Sequence, residues 1–135
     1  MTTKTWKIIF YVFTIWHTFG MAFGGVFDMI QAPEAVQMLA HLGYPAYFGS
    51  IIGAFKLLGL IALWQRRVPF LREWAYAGYF FDLVGAFASH MAVGDAFGGW
   101  FPSVLSLFIW GMSYTAFRKL GMGVSASTVQ EPKKA

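Results

Sequence analysis

The sequence predicts an all-α protein: a four-transmembrane-helix bundle with both termini cytoplasmic and a short interfacial helix between spans 1 and 2. Three observations carry that reading. Four apolar stretches, about 8–29, 46–64, 74–94 and 100–117, approach the roughly 20 residues that a bilayer crossing needs and take up most of the 135 residues. The composition is 58% hydrophobic, 20% aromatic and 12% charged, whereas a soluble domain carries about 25% charged residues. The basic residues also segregate. Lys4 and Lys7, then Arg66, Arg67 and Arg72, then Arg118, Lys119, Lys133 and Lys134 fall on one side of the four stretches, and the other two connections hold neither Lys nor Arg. The positive-inside rule places that basic side in the cytoplasm. The formal charge of +4 is therefore an orientation signal, and nucleic-acid binding is not expected.

The first span follows a short basic start and is read as a retained helix, because it is too long for a signal-peptide core and carries His17 inside it. His17, Gly24 and Asp28 recur at helical spacing, so they share the face that should turn into the bundle. Residues 31–45, QAPEAVQMLAHLGYP, mix polar and apolar positions with Pro33 at a helix start and Gly43 at its stop. That stretch suits a short amphipathic helix at the membrane surface. The second span holds nine Leu, Ile or Phe residues between Phe48 and Leu63, worth roughly −3 to −5 kcal/mol for insertion, against about +3 kcal/mol for Lys56. Alone it would insert marginally, so it needs the third span. Gly49 and Gly53 form a GxxxG step next to Lys56, where another backbone can come close. A basic turn with Pro69 leads into the third span, on which Asp82, Ala86 and His90 form one stripe. After the glycine-rich run 94–102, the fourth span starts with Pro102 in its first turn and aligns Ser103, Ser106, Trp110 and Ser113, serines expected to bond across to neighbouring helices. One membrane domain, 1–120, and a disordered cytoplasmic tail, 121–135, complete the organisation. Trp6, Trp64 and Trp74 on one side and Tyr44, Tyr47 and Trp100 on the other mark the two interfaces.

The charges inside the spans matter most. At 1.5 Å per residue, Lys56 stands about 12 Å above Trp64, Asp82 about 14 Å above Glu73, and His17 about 15 Å above Lys7, so the three share one depth. An ion there costs roughly 2.5 to 3.5 kcal/mol, which predicts that Lys56 pairs with Asp82 inside the bundle. One consequence is a register-fixing ion pair with His17 hydrogen-bonded nearby. The other is a polar pocket for a lipid-soluble molecule such as a quinone, with His17 or Lys56 donating to a carbonyl, Asp82 exchanging protons, and Trp16, Phe55, Phe81 and Trp110 as walls.

A second polar group, Asp28, Glu34, His41, His90 and Asp95, is expected at the outer face. Its members lie without fixed ligand spacing, so no metal site is expected, and His17 and His90 differ in depth by roughly 10 Å, too far to share one haem. No cysteine is present, which removes disulfides and thiol redox chemistry. Ser89 and His90 point about 100° apart on a helix and make no catalytic dyad.

The runs HLGYPAYFGSIIGAFKLLGLIALW and VPFLREWAYAGYFFDLVGAFASHMAVGD resemble the DoxX-like family of small four-helix bacterial membrane proteins. The resemblance is close over 41–95 and covers the first and fourth spans in pattern; its marks are the LGYP turn, the KLLG step, EWAYAG, FDL and SHxAxGD. It implies four spans, bacterial inner-membrane residence, and a motif at Lys56, Asp82, Ser89, His90, Gly94 and Asp95. With His17, these make Lys56, Asp82, Ser89 and His90 the ligand-pocket candidates. Family members include a subunit of a thiosulfate:quinone oxidoreductase and proteins linked to maturation or export of others. Lacking a cofactor motif, this chain is expected to be an accessory subunit that takes a quinone, beside a redox subunit or another membrane protein. Two alternatives stand: an assembly or interaction factor, and a small stand-alone membrane isomerase or oxidoreductase with Asp82 and His90 as acid and base.

Overall fold

The computed structural model describes residues 1–124, and these form five helices and no strand: α1 (Thr3–Met29), α2 (Pro33–His41), α3 (Ala46–Trp64), α4 (Pro69–Ala92) and α5 (Phe97–Lys119). Prolines set two of the starts. Pro33 opens α2 and Pro69 opens α4, positions where the missing N–H is not needed. α4 therefore begins five residues before the expected third span, inside the basic turn. The ends rely on left-handed residues, with Gly43 after α2, Gly94 after α4 and Gly121 after α5, and Gln31 at φ 53 between α1 and α2. α5 starts at Phe97, within the glycine-rich run, so Pro102 falls in the helix interior and not in its first turn. The carbonyl that proline would crowd belongs to Gly98, a residue with no side chain to add to the clash. Of the expected tail, residues 125–135 lie outside the described residues. Its first residues differ from expectation: Gly121 turns the chain back, Met122 packs against the core, and Arg118 donates to the Val124 carbonyl at 3.3 Å.

The four long helices close a ring in the order α1, α3, α4, α5, each touching its two neighbours, while α2 lies against α3 and the end of α1. The tight core sits at the end of the ring that carries Trp6 and Leu120. There Phe10, Leu63, Tyr76, Ala116 and Phe117 are buried, and the Arg72 side chain reaches in among them. Arg72 Nε donates to the Leu63 carbonyl at 2.8 Å, and its guanidinium lies 5.0 Å from the Phe117 ring centroid. It thus satisfies a carbonyl at the C-terminus of α3 that the helix cannot. One layer up, Ser113 on α5 binds Thr14 of α1 at 2.6 Å and Tyr76 of α4 at 2.7 Å, joining three helices through hydroxyl groups. The expected serine bridging is realised at Ser113.

The outward faces are apolar on all four long helices: Phe19 and Phe23 on α1, Phe55 and Ile61 on α3, Trp74 and Phe81 on α4, and Phe97 and Phe108 on α5 are each at least 58% exposed. By length and hydropathy, two helices among the described residues could cross a membrane, α1 and α3. α4 carries Arg72, Glu73 and Asp82, and α5 is rich in Gly, Ser, Trp and Tyr, which lowers the mean hydropathy of both.

α1 and α3 approach most closely at their glycines. A Cβ on Gly53 would stand 2.5 Å from the Gly25 carbonyl oxygen and 2.7 Å from the Met29 nitrogen, and one on Gly49 would meet Leu39 at 2.8 Å. The expected GxxxG crossing exists, and the backbone it admits is that of α1. Backbone atoms cannot swing aside as a flexible side chain can. Gly53→Ala is expected to force the two helices apart and lower thermal stability in detergent by about 1–3 kcal/mol. Gly78→Ala, where a Cβ meets nothing within 4 Å, should change it little.

Candidate functional site

The glycine crossing decides what Lys56 meets. α1 ends level with Gly53, about 10 Å along α3 from its first residue, so the last turn of α1 lies well inside the bundle. Asp28, in that turn, faces α3. Lys56, three residues beyond Gly53, sends its ammonium back toward it, and Lys56 Nζ donates to Asp28 Oδ2 at 2.8 Å. Asp82 Oδ2, arriving from α4, stands 3.9 Å from the same nitrogen.

The Lys56–Asp82 pairing read from sequence is therefore only the looser half of a three-membered cluster, and Asp28 moves from the outer polar group to its centre. Depth counting placed it wrongly because α1 ends below the start of α3, with residues 30–45 filling the step. The three side chains keep 16–19% of their exposure, so the cluster is open to a cavity rather than sealed. One ammonium between two carboxylates leaves one negative charge in excess when all three are ionised. That excess is a demand for a proton or a cationic or hydrogen-donating neighbour.

Two cavities meet at this cluster in the loosest of the four interhelical seams, between α3 and α4. The first, about 370 Å³, is roofed by Met38, Leu39 and Leu42 of α2, walled by Phe48, Ile52 and Phe81, and floored by Asp28, Lys56 and Asp82, with Ser89 and His90 at its far end. The second, about 590 Å³, continues down the seam past Phe55, Leu58, Gly59 and Trp74. Lys56 and Asp82 line both. Gly59 keeps the lower cavity's back wall thin: the Tyr79 hydroxyl sits where a Cβ would be, and it donates to the Lys56 carbonyl at 2.6 Å.

The pocket candidates divide. Lys56, Asp82, Ser89 and His90 all line the first cavity. His17 does not: it is buried between helices with its ring edge-on to Tyr79 at 4.6 Å, and Nε2 has no hydrogen-bond partner among the described residues. His17 cannot reach the cluster, because Asp28 stands about 16 Å further along α1. Of the expected walls, Phe55 and Phe81 line the seam, Trp16 points outward, and Trp110 packs on Tyr76 with its Nε1 donating to the Tyr76 carbonyl.

The outer polar group also divides. Glu34 sits with Asp28 and Gly24 at a shallow depression between α1 and α2. His41, His90 and Asp95 come together: Asp95 Oδ1 binds His41 Nε2 at 2.6 Å and Asp95 Oδ2 binds His90 Nδ1 at 2.6 Å. The turn after α4 makes this possible. Gly94, at φ 77, lets the Asp95 N–H return to the His90 carbonyl at 3.0 Å, which folds the carboxylate back over the ring. Gly99 leaves the room, since a Cβ there would lie 2.7 Å from that of Asp95. Hydrogen bonds from the two histidines hold the Asp95 carboxyl below the usual carboxylate range.

Tyr44, read from sequence only as an interface marker in the LGYP turn, lines the cavity: its hydroxyl binds Ser89 at 2.7 Å while its ring stacks on Phe48 at 4.7 Å.

The described residues are all helix and turn, with apolar outward faces and the Asp28–Lys56–Asp82 cluster inside the bundle, the pattern of a membrane protein. The family model described as the DoxX-like family matches residues 12–112, and the chain belongs to that membrane-associated family. No curated protein and no solved structure matches it.

Two outcomes follow from the cluster. Asp28→Asn should destabilise the bundle more than Asp82→Asn does, by about 3 kcal/mol against a smaller loss, in thermal unfolding of the purified protein; equal losses would mean that the two carboxylates share the lysine evenly. Asp95 gives a pH signature. Its folded-state value is depressed, so its contribution is complete above the ordinary carboxylate value of about 3.9 and is lost as the pH falls through the lowered one. Hydrogen exchange in α2 should accelerate across that acid window in the wild type, and Asp95→Asn should remove the pH-dependent step.

Proposed function

We propose that the chain is a multi-pass protein of the bacterial inner membrane, with α1, α3, α4 and α5 all spanning, both termini cytoplasmic and α2 lying at the outer surface. The apolar outward faces of α4 and α5 support the two further spans, since they match those of α1 and α3. The basic residues at the start of α1, between α3 and α4, and at the end of α5 support the orientation.

We further propose that it serves as an accessory subunit whose α3–α4 seam holds a quinone or a similar lipophile. The observation that carries this is the cavity of about 370 Å³ with apolar walls and the Asp28–Lys56–Asp82 cluster as its floor. Its size falls at the low end of small-molecule sites, about 300–1,000 Å³, and suits a single-ring headgroup. The adjoining apolar cavity of about 590 Å³ is placed to take the first units of a tail. Because Asp28 already engages Lys56 at 2.8 Å, Asp82 is the group with bonding capacity to spare. It would accept from a quinol hydroxyl, or donate to a quinone carbonyl when protonated. Ser89 and His90 stand at the opposite end, where the second ring oxygen would lie.

Titration of the purified protein with a short-chain ubiquinone tests the reading. The wild type should bind, and Asp82→Asn should weaken binding about tenfold or more, the worth of one hydrogen bond to a charged group. No binding to either, or equal binding to both, removes the quinone from this site.

A further inference from the structure

We infer that His41, Asp95 and His90 form a proton relay that connects the water around α2 with the cavity above the Asp28–Lys56–Asp82 cluster. The three groups are arranged from outside to inside. The His41 side chain is 53% exposed, that of Asp95 17% and that of His90 10%, and each joint between them is 2.6 Å. His90 lines the cavity whose floor is the charged cluster. A carboxylate bridging two imidazoles through its two separate oxygens, one ring wet and the other lining an internal space, is more than tying α2 down requires; a single bond to His41 would do that.

The transfer balances with one proton in and one out. His41 takes up a proton at the ring nitrogen that does not face Asp95 and releases the one on Nε2 to Asp95 Oδ1. The step requires His90 in the tautomer whose Nδ1 is bare: rotation of the carboxyl group carries the proton to that nitrogen, and ring flips of both histidines reset the tautomers between transfers. His90 then gives up the proton on its other nitrogen to the cavity, and no group ends with a changed charge. From His90 to Asp82 is two turns of α4, about 12 Å. The cavity's 370 Å³ reaches from Asp82 to His90 and has room for roughly ten waters at about 30 Å³ each. The titratable groups facing this space are Asp28 from α1, Tyr44 from the turn before α3, Lys56 from α3, and Asp82 and His90 from α4, and Glu34 of α2 lies behind Asp28; α5 contributes none. The proton's destination is the carboxylate in excess at the cluster, and Asp82, held 3.9 Å from Lys56, is the looser of the two.

The relay needs no quinone, so its test stands or falls apart from the binding reading. In the full chain in lipid nanodiscs, a rapid acid jump is followed by the infrared absorption of protonated carboxyl groups, and the part of the band missing in Asp82→Asn belongs to Asp82. Asp95→Asn should slow the rise of that band about tenfold or more, the lower range for losing a positioned acid–base group. His41→Gln, which leaves the Asp95–His90 pair in place, should slow it similarly, and Asp95→Glu should restore the wild-type rate. If the histidine bonds only fasten the roof, breaking them admits water and the band rises at the same rate or faster in Asp95→Asn; that result overturns the relay. So does a wild-type spectrum with no Asp82 contribution.

Discussion

One ammonium shared by two carboxylates governs how this bundle is put together. Lys56 cannot be left bare in an apolar medium, and each of its partners comes from a different helix: Asp28 from α1 at 2.8 Å and Asp82 from α4 at 3.9 Å. Satisfying it therefore fixes the axial position of three helices at once. The unequal distances carry the chemistry. The near carboxylate meets the cation's need, and the far one keeps a lone pair for something else.

That arrangement depends on small residues. Gly25, Gly49 and Gly53 let the α1 and α3 backbones meet, and without their approach Asp28 would stay beyond the reach of the lysine. The hydroxyl and guanidinium contacts at the other end, Thr14 to Ser113 to Tyr76 and Arg72 to Leu63, hold the helices together there. Packing is thus graded along the molecule, from a filled end beside the start of α1 and the end of α5 to a seam that parts between α3 and α4 at the other.

Helix number and type were legible in the chain because apolar run lengths and basic turns are local signals. The presence of a charged centre was legible too, since Lys56 and Asp82 stand out in otherwise apolar runs. The dominant partner was not. Asp28 had been placed on the bundle-facing side of α1 by its spacing from His17 and Gly24, but its depth depended on where α1 stops relative to α3, and no periodicity encodes a step between helices. His17 failed for the related reason that similar heights above one interface do not bring side chains on different helices into contact. The His41–Asp95–His90 contact joins residues 54 positions apart through a left-handed turn at Gly94. The SHxAxGD run marked its two C-terminal members, and depth put His41 in the same outer group, but no local signal encoded the bond that joins them.

The graded packing has a mechanical consequence. A ring of rods clamped at one end and parted at the other behaves like tweezers, whose tips open while the grip stays still. Any occupant of the seam would be accommodated by bending of the α3 start and the α4 end and by lifting of α2, the short rod laid across the tips. The Arg72 and Ser113 layers would act as the rivet. Strain introduced at the tips is then spent before it reaches the start of α1 or the end of α5.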